Sequence, residues 1–350
     1  MQATNNKHIT LDKFIDAALY NKDFGFYMKK NPIGLNGDFI TAPNISILFS
    51  EMIAIWVISF WENLKYPKRI NLVDLGGGNG EMVYQLLKVF KNFPQFSNSC
   101  KIYIFEKSPF LIKTQKKKLE KHNIKWITKL NNIKKIPTIF LANEFFDALP
   151  IKQFIKKKNS WLERCIKIEN NKYKYSDLKF DIKKLEKKIG IKISKNQNFI
   201  EFSPMQFQYL KEISKIINAN NGGLLIIDYG YTNGLMKNTV QSVFRHNKTK
   251  ILNHVGDSDI THLVNFKLIA KLANKLKLNC SNIVTQRNFL INLGILKRAE
   301  IISKKLPFTK KTNIYYRLKR LIDNEQMGEL FKVIFLTKNN TFFNKGFESD

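Results

Sequence analysis

Carboxylates stand at the ends of apolar runs in this sequence, and a glycine cluster follows one of them. "INLVDLGGGNGEM" begins at Ile70 and places Asp74, Gly76, Gly77, Gly78, Asn79 and Gly80 in close succession. Four glycines in five positions cost backbone entropy unless something must approach the main chain. A dinucleotide fingerprint, G-x-G-x-x-G, would put its last glycine three after Gly78, where Glu81 stands. A carboxylate is a poor neighbour for a pyrophosphate at a helix N-terminus. The pattern is G-x-G-x-G behind an acid, and Asp74 and Glu81 suit a ligand with a cationic amino-acid portion. Glu106 closes the next run, "KIYIFE", where an acid can bind both hydroxyls of a ribose. Together these residues point to S-adenosyl-L-methionine (SAM) and away from NAD.

Two further strand ends carry acids. "TIFLANEFFDALP" presents Asn143, Glu144 and Asp147, and "GGLLIIDYGY" ends on Asp228. Acids at strand ends beside a cofactor turn are the default catalytic candidates. If "NEFFDALP" opens a helix, Glu144 and Asp147 lie three apart on one face, with Asn143 as cap. Asn143 can also turn its amide carbonyl toward the methyl donor or acceptor. Each residue has a structural reading as well: Glu106 a solvated strand end, Asp74 a cap, Glu144 a first-turn acid. Their arrangement in one crevice is what favours chemistry. His246, His254 and His262 show no metal spacing, and no metal is expected.

The elements that must position these residues read as an α/β doubly wound sheet. "KIYIF", "IKWIT", "PTIFLAN" and "GGLLIID" are apolar runs separated by helical patterns, which indicates a parallel sheet buried on both faces. Residues 1–69 read as a mostly helical N-terminal extension with a Gly/Pro loop. Residues 70–150 form the first half of the sheet. Residues 151–221 interrupt it with Lys-rich strands and the amphipathic helix "FSPMQFQYLKEISKII". Residues 222–350 complete it, with "LFKVIFLTK" as an antiparallel edge strand.

Composition sets outer bounds. The 350 residues include 44% hydrophobic ones, enough for a large core, and no apolar run reaches a membrane span. Cys100, Cys165 and Cys280 are far apart and odd in number, which fits a reducing cytoplasm. The N-terminus reads as neither a secretory signal nor an Arg-rich transit segment. The net charge of +31 invites a nucleic-acid partner. Yet only seven of the 59 basic residues are Arg, the residue best suited to phosphate and base contacts. Lysine excess of this kind fits general compositional bias better than a dedicated nucleic-acid surface.

At the level of whole motifs the chain resembles the MidA-like class I SAM-dependent methyltransferases. The segments that carry the resemblance are "GDFITAPNIS", "LVDLGGGNGEM", "NEFFDALPIKQF", "LLIIDYGY", "VGDSDIT", "TQRNFLINLGI" and "MGELFKV", in that order along nearly the whole chain. The resemblance implies a Rossmann-like class I fold with the extension and insertion described above. It implies SAM as cofactor, with Thr41 joining Asp74, Gly76, Gly77, Gly78, Gly80, Glu106 and Asn143 around it. It also implies arginine methylation, since the family's mitochondrial members make symmetric dimethylarginine on a respiratory complex I subunit. The chain departs from the family at His262-Leu-Val-Asn265, where Ala-His-Val-Asp is usual, at Asn44, where an acid is common, and at Ser50, which replaces a glycine.

An arginine acceptor stays protonated at neutral pH, so carboxylates must grip it and leave one nitrogen facing the methyl group. Glu144, Asp147 and Asp228 are the expected acceptor-side acids, joined by Asp38 of the "GDFITAP" loop. An RNA methyltransferase and a non-catalytic SAM-binding assembly factor are the competing readings. The acid pair argues against the second, and the scarcity of Arg against the first.

Overall fold

The computed structural model describes residues 8–29, 41–169 and 172–348. Seven strands make the main path of the central sheet: β1 (Ile70–Leu75), β2 (Cys100–Phe105), β3 (Ile124–Ile127), β4 (Thr138–Asn143), β5 (Gly222–Tyr231), β6 (Leu278–Cys280) and β7 (Phe331–Lys338). They lie in the order β3-β2-β1-β4-β5-β7-β6. Strands β1 to β5 are parallel, and β7 runs antiparallel to both its neighbours. The order reverses between β1 and β4, and ligands of such sheets bind beyond the carboxyl ends at that point.

Successive strand residues alternate between two cores. Leu72, Ile102, Leu141 and Leu225 enter one, and Val73, Tyr103, Phe140 and Leu224 the other. Burial on both faces is why these strands are continuously apolar. The helix Ile47–Asn63 packs on the first face, with 11 of its 17 residues buried. It is apolar nearly all round because the helix Ile295–Ser303 from the C-terminal third also packs on it. Trp56 of this helix meets the Phe335 ring of β7 edge-on at 4.7 Å.

Two sequence expectations change here. The strand "LFKVIFLTK" is antiparallel as expected, but it is not the edge, because β6 pairs outside it. The helix Pro204–Asn220, assigned above to the insertion, packs on the second face of the central sheet through Leu210, Ile213 and Ile217. Its apolar stripe told of burial but not of the partner. The inserted strands between Lys152 and Phe202 form their own sheet, which His8–Thr10 joins by pairing with Ser160–Glu169. The helix Leu11–Tyr20 buries Leu11, Phe14 and Ile15 in one cluster with Ile151, Ile166 and Ile260. Residues 8–20 of the extension and the inserted strands therefore form one layer. A third small sheet, Gln241–Phe244, Asn247–Thr249 and Asp259–Thr261, lies beside it. Among the described residues no helix is long and apolar enough to cross a membrane.

Candidate active site

A cavity of about 310 Å³ opens past the carboxyl ends of β1, β2 and β4. Its floor is the glycine turn. Gly76, Gly78 and Gly80 have φ of 69°, 54° and 80°, which side-chain-bearing residues rarely adopt. At Gly77 a Cβ would lie 2.8 Å from Ile104 Cγ2 and 3.1 Å from Asp74 Oδ2. Gly80 does not line the cavity. Its N–H donates to the Gly77 carbonyl at 2.8 Å and closes the turn before the helix Glu81–Phe90.

Donor-side groups surround this floor. Glu106 Oε1 accepts from the Lys107 and Ser108 N–H groups, each at 2.9 Å. The fully buried Gln115 donates to the Gly78 carbonyl at 2.8 Å and to Glu106 Oε2 at 3.4 Å. Trp126 Nε1 in turn donates to Gln115 Oε1 at 2.8 Å, which fixes the amide's orientation. Burial raises the Glu106 carboxyl, opposed by these donors. Burial pushes Asp74 up to about 7, with the nearby Glu106 adding to it. Among the described residues Asp74 Oδ2 and Asn143 Oδ1 are buried acceptors without a partner, and both residues line the cavity. Orphaned acceptors next to an open glycine cradle fit the ammonium end of SAM, and Glu106 fits its ribose.

The acceptor side differs from the sequence expectation. No helix starts at Asn143; Glu144 has φ 51°, and the next residues form a turn. Asp228 explains why. Its Oδ2 accepts from the Phe146 N–H at 2.9 Å and the Asp147 N–H at 3.3 Å, and its Oδ1 from the Tyr229 N–H at 2.9 Å. A carboxylate from β5 thus satisfies the backbone that a helix would have satisfied. Asp228 is fully buried and does not line the cavity, so it holds the turn at Phe146 and Asp147 and is not itself an acceptor-side group.

Glu144 Oε1 accepts from the Ala42 N–H and from Asn143 Nδ2, both at 3.1 Å, which ties residues 41–45 to the sheet end. Thr41 lines the cavity and accepts from Asn44 Nδ2 at 2.8 Å, while Asn44 Oδ1 accepts from Asn79 Nδ2 at 2.8 Å. Asn44 thereby keeps an acceptor facing the glycine turn, as the usual acid would. Asn265 caps the helix Phe266–Lys275 by accepting from the Leu268 N–H at 3.0 Å, a task Asn and Asp do equally well. Asp38 lies outside the described residues.

Six carboxylates line the cavity, and beyond Asp74, Glu81 and Glu106 on the donor side these are Glu144, Asp147 and Asp259. Burial pushes Glu144 up to about 7. Asp147 is raised well above the usual carboxylate range by burial first, then by Asp228, Glu144 and Asp259. The sequence reading quoted "VGDSDIT" but gave Asp259 no role. It also missed Tyr20 and Tyr27, which line the same cavity, Tyr27 donating to Asp259 Oδ1 at 2.9 Å. Nothing local marks these tyrosines, since only the docking of the N-terminal layer brings them over the sheet.

This sheet order, with a glycine turn after β1 and an acid after β2, defines a SAM-dependent methyltransferase of the Rossmann-like α/β class. A COG1565 superfamily member from Burkholderia thailandensis, solved with S-adenosyl-homocysteine bound, shares the fold with a TM-score of 0.80 at 20% identity, over 98% of this chain and 89% of that one. The family model described as "Putative S-adenosyl-L-methionine-dependent methyltransferase" matches residues 52–284, and the chain belongs to that family. It is 30% identical over 353 residues to the mitochondrial protein arginine methyltransferase NDUFAF7 of Xenopus laevis, covering 93% of this chain and 80% of that protein. The Homo sapiens counterpart is 27% identical, over 94% and 80%. The cofactor is S-adenosyl-L-methionine.

Proposed function

We propose that the chain is a protein arginine N-methyltransferase. The observation that carries this reading is the crowding of Glu144, Asp147 and Asp259 in one largely buried cavity beside the donor cradle. Such crowding is unfavourable alone and is relieved by a cation, and the side chain that matches several carboxylates at once is a guanidinium. The name carried by the relatives supports it. A respiratory complex I subunit and symmetric dimethylation are the acceptor and product to test first.

SAM supplies an electrophilic methyl group when bound. Asp74 and Asn143 would accept from its ammonium and Glu106 from its ribose hydroxyls. Asp147 and Glu144 accept N–H bonds from the guanidinium and hold one nitrogen in line. A carboxyl raised to about 7, as at Glu144, is suited to receive the proton that the nitrogen loses. Tyr20, Tyr27 and Phe145 supply aromatic walls to the cavity.

The test is transfer of label from SAM into a lysate of cells lacking the protein, followed by separation of protein from RNA and hydrolysis to amino acids. Label in methylated arginine is expected. Label in RNA, or in protein but on another residue, overturns the reading.

A further inference from the structure

The surface outside the cavity is uneven. Of the fifteen large hydrophobic side chains exposed among the described residues, seven fall between residues 296 and 330. Phe308 is 82% exposed and Tyr316 65%. The helix Phe308–Ile322 buries only Leu318 and Leu321 fully, so most of its circumference faces outward. Phe308, Tyr315 and Tyr316 are spaced i, i+7 and i+8, which sets them along one side. From Ile301 to Ile322 there are seven Lys or Arg residues and no acid.

This surface is continuous with the active site. The helix packs against Ala42–Ile45, and Arg317 Nη1 donates to the Ile45 carbonyl at 3.1 Å. In the same turn Pro43 and Asn44 line the cavity. A chain with its arginine in the cavity must leave over nearby surface, and this nearby surface carries exposed aromatic anchors. A second copy of the protein is a poor occupant, because two strongly basic faces would oppose each other. A lipid surface calls for an outward stripe of Leu, Phe or Trp, whereas here Thr309, Thr312 and Lys319 lie among the aromatics. Tyr and Phe set in a basic rim are the composition of a protein-docking patch.

We propose that the outward face of Phe308–Ile322, with the adjoining Ile295–Ser303, docks an acidic segment with an apolar anchor, carried by the protein whose arginine enters the cavity. This rests on the protein-arginine reading above. Aromatic anchors supply affinity, and the lysines select and steer an acidic partner.

Two full-length variants test it: Phe308→Ser with Tyr316→Ser, and Lys305→Glu with Lys310→Glu and Lys311→Glu. Each is compared with wild type in the labelled-SAM lysate assay, at limiting and at saturating lysate, with calorimetry of S-adenosyl-homocysteine as a check on the fold. Both variants are expected to bind S-adenosyl-homocysteine within twofold of wild type. Both should label arginine at least tenfold more slowly at limiting lysate and approach the wild-type rate at saturation. Labelling equal to wild type at limiting lysate overturns the docking proposal and leaves the arginine reading intact. A deficit that persists at saturation also overturns it, because the loss is then in turnover. Cosedimentation of wild type, but not the variants, with phosphatidylglycerol vesicles or total RNA reassigns the face to that partner. A wild-type protein that labels no arginine removes both readings together.

Discussion

Replacing Asp147 by Asn separates acceptor binding from donor binding. The change is nearly isosteric and leaves the Asp228 bonds to the turn in place. Asp147 is held well above its ordinary range by burial and by three neighbouring acids, so a cation placed beside it favours its ionised form. A guanidinium beside that carboxylate gains a charge-assisted hydrogen bond worth about 1.5–3 kcal/mol. Asn cannot ionise, so kcat/KM on the protein acceptor should fall roughly ten- to a hundredfold. Affinity for S-adenosyl-homocysteine should stay within a few-fold, because the proposed donor residues Asp74, Asn143 and Glu106 are unchanged. Stability carries a second signature. A carboxyl raised in the folded state stabilises fully below its unfolded pKa and loses that contribution as pH rises through the folded value. Asn removes this loss, so the melting temperature of the variant relative to wild type should climb as pH increases. Steady-state kinetics, calorimetry and melts across pH decide the matter. Unchanged turnover, or an equal loss of donor affinity, refutes the reasoning.

Three further outcomes follow from the same geometry. Glu106→Gln should weaken S-adenosyl-homocysteine binding by about tenfold or more, on the scale of one charge-assisted bond, with little effect on saturated turnover, as read by calorimetry and kinetics. Gly77→Ala places a methyl 2.8 Å from Ile104 Cγ2 and should cost about 1–3 kcal/mol of stability together with most donor affinity, measured by urea denaturation and calorimetry. Asp74 and Glu144, both raised to about 7, should make the ligand-free protein progressively less stable from about pH 4 to pH 7, and S-adenosyl-homocysteine should flatten that slope on the Asp74 side. Melting curves with and without ligand test this, and a stability that rises over that range contradicts the assignment.

The donor half of the site was legible because its chemistry is local. Glycines, strand-end acids and continuous apolar runs lie within short segments, and each fits one structural role. The acceptor half was legible as residue types but not as geometry. Glu144 and Asp147 were found, yet their placement in a turn depends on Asp228, which lies 81 residues beyond Asp147 and on another strand. For the same reason Asp228 itself was read as chemistry when its oxygens are occupied by backbone. Asp259, Tyr20 and Tyr27 come from layers whose docking no local pattern reveals. The helix Pro204–Asn220 shows the same limit, since an apolar stripe records that a face is buried and not against which sheet.

The most direct measurement of the central claim is tandem mass spectrometry of the labelled acceptor, comparing wild type with Asp147→Asn. The account predicts methyl groups on guanidinium nitrogens of arginine with wild type, and strong depletion of those same sites with the variant while S-adenosyl-homocysteine still binds. Methylation found on a lysine, a carboxylate or a nucleobase, or arginine methylation equal in both proteins, contradicts it.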